Sequence, residues 1–159
     1  MLLYLVRHGE AVQADTADSS RALTPEGAAE VEKMAFHLAS IRISTDIIFH
    51  STKARAKQTA GIFARRLNPA RGIFESPDLG PMADPVTWRE RLNMMDDSVM
   101  IVGHMPYMSR LASLLINGIA AETAIVFGTS AVACLKRDHG AWSLLWMATP
   151  EIIGGDCRK

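Results

Sequence analysis

Three short apolar runs constrain this chain more than anything else in it. Strands are read at Leu2–Val6, Asp46–Phe49 and Val99–Gly103, and each stops abruptly at polar, histidine-bearing residues: Arg7-His8, His50-Ser51-Thr52 and His104. Runs this short and this continuous read as strands buried on both faces, the pattern of an internal, parallel sheet. Helical spacing follows each of them. Val31, Met34, Ala35 and Leu38 make one stripe; Ala56, Ala60, Phe63 and Leu67 a second; Met108, Leu111, Ala112 and Leu115 a third. Strands alternating with helices predict an α/β domain: a three-layer α/β/α sandwich with a mostly parallel central sheet.

Local signals mark the boundaries. Ala11–Arg21 is small and polar and reads as a surface loop. Thr24 is placed to cap a helix, Pro25 fits its first position and Glu26 suits the positive end of its dipole. A helix predicted from about Lys53 to Leu67 is stopped by Asn68-Pro69. Gly72–Glu75 reads as a short third strand and Ser76–Ala83 as loop; Asp84-Pro85 opens a helix carrying Trp88, Leu92 and Met95. Pro106 opens another, which Asn117-Gly118 ends. Thr129–Leu135 and Trp142–Met147, joined by Asp138-His139-Gly140, predict a closing antiparallel strand pair. One domain is expected over residues 1–150, with a weakly ordered C-terminal tail over 151–159.

Length and charge bound the function. With 159 residues the chain can bury a substantial core, and 17 Lys+Arg balance 17 Asp+Glu. A zero net charge offers no electrostatic case for nucleic acid or an acidic membrane as partner. The apolar stretch Val99–Ile119 is interrupted by His104, Pro106, Arg110 and Asn117 and does not read as a membrane span. Cys134 and Cys157 form no metal-like pattern, and Cys134 reads as a small core residue. A cytoplasmic monomer without metal or cofactor is the expectation.

The strand ends carry the chemistry. In a parallel sheet the carboxyl ends of the strands share one edge, where ligands bind. That edge is predicted to collect Arg7-His8, Arg55 and His104. Two guanidiniums and two imidazoles, with no obvious carboxylate among them, make an anion site. Arginine presents paired donors that match phosphoryl oxygens, and a neutral imidazole is a competent nucleophile toward phosphorus. A metal site is the competing reading for two histidines. It is disfavoured, because Arg7 and Arg55 would repel a divalent ion and no thiolate or carboxylate accompanies them.

Four blocks, in order, resemble the histidine phosphatase (phosphoglycerate mutase-like) superfamily. They are Leu5-Val6-Arg7-His8-Gly9-Glu10, Ser20-Arg21-Ala22-Leu23-Thr24-Pro25-Glu26-Gly27, Ser51-Thr52-Lys53-Ala54-Arg55-Ala56-Lys57-Gln58-Thr59 and Ile101-Val102-Gly103-His104-Met105-Pro106. Size, spacing and Phe127-Gly128-Thr129-Ser130-Ala131 are most similar to the SixA-type phosphohistidine phosphatases within it. The resemblance implies that His8 is a nucleophile that becomes phosphorylated. It further implies that Arg7 and Arg55 bind phosphoryl oxygens and that His104 donates to the charge of the transition state. Arg21 and Ser130 are implied as peripheral substrate contacts. Thr52 stands where the family often has proline, which bears on the shape of that loop.

The substrate turns on a general acid. Related enzymes protonate an alkoxide leaving group with a carboxyl. Here Glu75, Asp78, Asp84 and Glu90 lie in the right region, none within a block that resembles the family's acid. An alkyl phosphate needs that proton, whereas imidazole, with a conjugate-acid pKa of about 6.5, leaves phosphorus readily. The short Ser76–Asp97 segment leaves little room for a cap over the pocket. Both features favour phosphohistidine on a protein. A small-molecule phosphomonoesterase and a non-catalytic phospho-ligand module are the alternatives. His37, His50 and His139 read as surface or turn residues, and Trp88, Met94, Met95 and Met100 as core.

Overall fold

A computed structural model describes residues 1–13, 17–122 and 125–154 of the chain. In order it comprises β1 (Leu2–Arg7), a 3-10 turn (Asp18–Ser20), α1 (Pro25–Ser40), β2 (Ile47–His50), α2 (Ala54–Leu67) and β3 (Ile73–Glu75). A second 3-10 turn (Pro77–Leu79), α3 (Pro85–Asn93), β4 (Val99–Gly103), α4 (Tyr107–Asn117), β5 (Val132–Asp138), β6 (Ala141–Ala148) and α5 (Pro150–Ile153) complete it. One six-stranded sheet runs in the order β3-β2-β4-β1-β5-β6. β1, β2, β3 and β4 are mutually parallel, and β5 and β6 add an antiparallel pair beside β1. The α/β architecture read from the sequence is the one observed.

Period-two alternation divides the sheet between two cores. Leu3, Leu5, Val99 and Ile101 face Trp88 and Leu92 of α3 and Met108, Leu111 and Leu115 of α4. Tyr4, Val6, Met100 and Val102 face Val31, Met34, Ala35 and Leu38 of α1 and Ala56, Ala60 and Phe63 of α2. Burying side chains of this size is worth about 1.5–3 kcal/mol each, so both faces of β1 and β4 hold the sheet between its helix layers. Cys134 is part of the second core. Thr24 caps α1, its hydroxyl accepting from the N–H of Gly27, and Asp84 caps α3 by accepting from Val86 N–H. Among the described residues, no helix is long and apolar enough to cross a membrane.

Four local expectations differ from the structure. β5 begins at Val132 rather than Thr129, because Ser130 adopts a left-handed φ of 59° that a strand residue does not. Met94 is 88% exposed, since it follows the last residue of α3 and lies off the Trp88–Leu92 stripe that faces the core. His50 is buried, not a surface residue, because β2 is an internal strand. Residues 151–153, expected in the tail, continue a helical turn that opens at the buried Pro150, and Ile153 packs against the α1–α2 core. Residues 155–159, with Cys157 among them, lie outside the described residues. At the hairpin, His139 and Gly140 both have positive φ (47° and 83°), the backbone a two-residue turn between twisted strands requires.

Candidate active site

Strand register assembles the site. β1 and β4 are neighbours with Arg7 opposite Gly103, so the next residue of each leaves the sheet at the same level. His8 N–H donates to Gly103 O (3.0 Å), and the rings of His8 and His104 stand 4.8 Å apart, centroid to centroid. On the other side of β4, His50 lies opposite Val102 and Ser51 N–H donates to Val102 O (3.1 Å). α2 begins three residues later and carries Arg55, buried, in its first turn. The strand ends predicted to converge do converge.

Close backbone approach explains two glycines of the sequence blocks. A Cβ on Gly9 would stand 2.7 Å from Val31 Cγ2 and 2.9 Å from Gly27 O. A Cβ on Gly27 would stand 2.3 Å from Glu10 O. The loop after β1 therefore lies directly on the first turn of α1, which only glycines at both positions permit. Gly9 N–H also donates to Thr59 Oγ1 (3.2 Å), which in turn donates to Arg55 O (2.8 Å). Thr59, the last residue of the Arg55 block, ties α2 to the loop holding His8.

The contacts of His8 define its tautomer. Nδ1 lies 2.7 Å from Gly9 O, a group that can only accept, so Nδ1 carries the proton. Arg55 Nε donates to Nε2 at 3.2 Å, which requires a lone pair there. The two contacts agree independently. Burial pushes the His8 pKa down to about 4 against the upward pull of the Gly9 carbonyl, with Arg55, Arg7 and Arg21 adding to the fall. His104 is lowered to about 3, again by burial first, then by His8, Arg55 and Lys53 against the opposing charge of Asp18. Both imidazoles are therefore neutral at physiological pH.

His104 Nε2 lies 2.5 Å from Ser51 Oγ, and its Nδ1 is buried with no partner among the described residues. Arg7 donates through Nη1 to Phe127 O (2.7 Å), while its buried Nε has no partner among those residues. Arg55 uses each of its three nitrogens: Nε on His8, Nη1 on Asp18 O (2.7 Å) and Nη2 on Asp18 Oδ1 (3.0 Å), which leaves two of its five N–H donors for a ligand. Arg21 stands at the rim, with Nε on Val12 O (2.7 Å) and Nη1 3.4 Å from Asp18 Oδ1. Ser130 is buried, and its N–H donates to His8 O (3.3 Å).

Asp18 corrects the reading of a site without a carboxylate. It pairs with Arg55, Lys53 and Arg21 from the loop after β1. The hydrogen-bonded ammonium of Lys53 lowers its pKa first, against desolvation, and Arg55 adds to the lowering. Nothing in the polar Ala11–Arg21 segment marks Asp18 as a partner of Arg55; only the folded loop brings it there. Ser51 was visible in the sequence as the first residue of the Arg55 block, but its partner His104 is 53 residues away. Of the four candidate acids, Asp78 pairs with Arg91 (3.0 Å) and Asp84 caps α3, while Glu75 and Glu90 are exposed.

A neutral imidazole with a defined lone pair, flanked by two guanidiniums and a second imidazole, can attack phosphorus and hold the oxygens around it. Comparison with known proteins agrees with that class of site. Residues 3–80 match the model of the histidine phosphatase superfamily (branch 1). The chain is 29% identical to the phosphohistidine phosphatase SixA of Escherichia coli K12 over 94% of each chain. It superposes on the protein histidine phosphatase SixA solved in complex with tungstate at a TM-score of 0.87, with 29% identity over 94% of this chain and 97% of that one. A putative phosphohistidine phosphatase SixA from Agrobacterium tumefaciens gives 0.79 and 30% identity over the same shares of each chain. This chain belongs to the histidine phosphatase superfamily.

Proposed function

We propose that this protein hydrolyses phosphohistidine on a partner protein, through a phosphoryl group carried transiently on His8. The carrying observation is the neutral His8 ring, with Nδ1–H on Gly9 O and its Nε2 lone pair on the guanidinium of Arg55. In this reading a phosphoryl group takes the donor that Arg55 gives Nε2 and exposes the lone pair to phosphorus. Arg55 and the unpartnered Nε of Arg7 then hold the equatorial oxygens. Ser51 Oγ receives Lys53 N–H (3.4 Å), which directs its own hydrogen toward His104 Nε2. His104 Nδ1 then bears a proton and donates to the developing charge. Arg21 serves as a peripheral contact at the rim, and Ser130 borders the same edge. Water attacks the phosphoryl-His8, and the bonding pair returns to Nε2 while Nδ1–H stays on Gly9.

The substrate class follows from acid chemistry. The carboxylate paired with Arg55, Asp18, is held ionised by Lys53 and Arg55 and is a poor proton donor to an alkoxide. Segment 76–97 is short and turns Leu79, Trp88 and Leu92 into the core, which supports a protein substrate in this reading. The SixA relatives carry that activity in their names, and one binds tungstate, a tetrahedral oxyanion. The guanidiniums neutralise phosphate charge, so the reaction is metal-independent in this reading. A pure binding module would not need a nucleophile. Quenching turnover without acid should trap an acid-labile phosphoryl group on the peptide containing Arg7–Glu10, and His8→Ala should lose both label and turnover. An active His8→Ala protein would refute the proposal.

A further inference from the structure

We propose that Asp18 selects phosphohistidine by accepting the ring N–H of the substrate's protonated imidazole. The inference rests on the phosphohistidine reading above. Its starting point is the leaving group. If the substrate ring is unprotonated, breaking the P–N bond expels an imidazolate anion. If the second ring nitrogen carries a proton, the same bond breaks to neutral imidazole. The enzyme's own His8 already has this arrangement, because Gly9 O holds the proton on Nδ1 at 2.7 Å. A matching acceptor for the substrate's ring would make transfer symmetric. His8 Nε2 supplies its lone pair to phosphorus, and the P–N pair stays with the substrate nitrogen. One ring becomes a phosphoimidazolium as the other becomes a neutral imidazole. No proton changes hands and charge is conserved.

Asp18 stands where such an acceptor is needed. Arg55 spans the two sites: Nε is 3.2 Å from His8 Nε2, and Nη2 is 3.0 Å from Asp18 Oδ1. Nε and Nη2 lie on adjacent corners of one planar guanidinium, so a phosphoryl group on that fork touches the carboxylate's neighbourhood on its outer side. The carboxylate is half exposed (51%), which leaves acceptor positions open to an incoming ring while Arg55 and Lys53 keep it in place. Its charge also discriminates. A phosphate on an uncharged alkyl or aryl group meets the carboxylate as a second anion, whereas a phosphoimidazolium brings its own cation.

The test is the ratio of kcat/KM for phosphohistidine to that for p-nitrophenyl phosphate, whose leaving group has no ring N–H. Asp18→Asn keeps an amide oxygen for Arg55 Nη2 but removes the charge and weakens the acceptor. The ratio should fall at least thirtyfold relative to the wild-type protein. An unchanged ratio overturns the inference, whether both substrates slow together, as a purely Arg55-positioning role would give, or neither changes. Wild-type protein that hydrolyses p-nitrophenyl phosphate but not phosphohistidine overturns the proposed function itself and this inference with it.

Discussion

Two buried neutral imidazoles make stability depend on pH in a calculable way. Their pKa values in the folded protein, about 4 for His8 and about 3 for His104, lie below the ordinary value of 6.5. Between these limits the unfolded chain binds protons that the folded one does not, so stability rises with pH and is lost as pH falls from 6.5 toward 4. Lowering the pH from 7 to 5 then costs roughly 2 kcal/mol for each imidazole, or about 4 kcal/mol for the pair. Other titrating groups contribute as well, but they are common to the wild-type protein and a single variant and cancel in the difference. Denaturant unfolding of wild type, His8→Asn and His104→Asn at pH 7 and pH 5 measures it. Each variant should lose about 2 kcal/mol less than wild type on acidification. Identical pH sensitivity in all three would mean that the imidazoles titrate normally, and the neutral-nucleophile argument would fail with them.

Arg55→Lys keeps a charge but cannot donate at once to His8 Nε2, Asp18 O and Asp18 Oδ1, so turnover should fall by about a hundredfold or more. Arg65, exposed and paired with Glu32 at 2.8 Å, should accept lysine with steady-state rates within about twofold; equal tolerance at both positions would remove Arg55 from the site. Dialysis against a chelator should leave activity intact, and a strict requirement for an added divalent ion would refute metal independence.

The chain's local order was legible because it depends on nearest neighbours. Apolar runs, Thr24 and Asp84 at helix starts, and Asn117-Gly118 at a helix end act over a few residues, and the structure uses each. Convergence of Arg7, His8, Arg55 and His104 was also legible, since parallel strands share a carboxyl edge whatever their order in the sheet. Strand order itself was not. β4 lies between β1 and β2, and only this adjacency brings His104 to His8 on one side and Ser51 on the other. Asp18 lies further beyond sequence reasoning. A carboxylate in a polar loop carries no periodicity and no cap signal, and its value as a partner for Arg55 arises only when the Gly9–Gly27 contact closes the loop onto α1. Sequence thus determined the elements and the edge at which the chemistry gathers. Tertiary packing decided the partner of His8 Nε2, the depressed pKa values and the carboxylate at the rim, because each depends on distances between residues far apart in the chain.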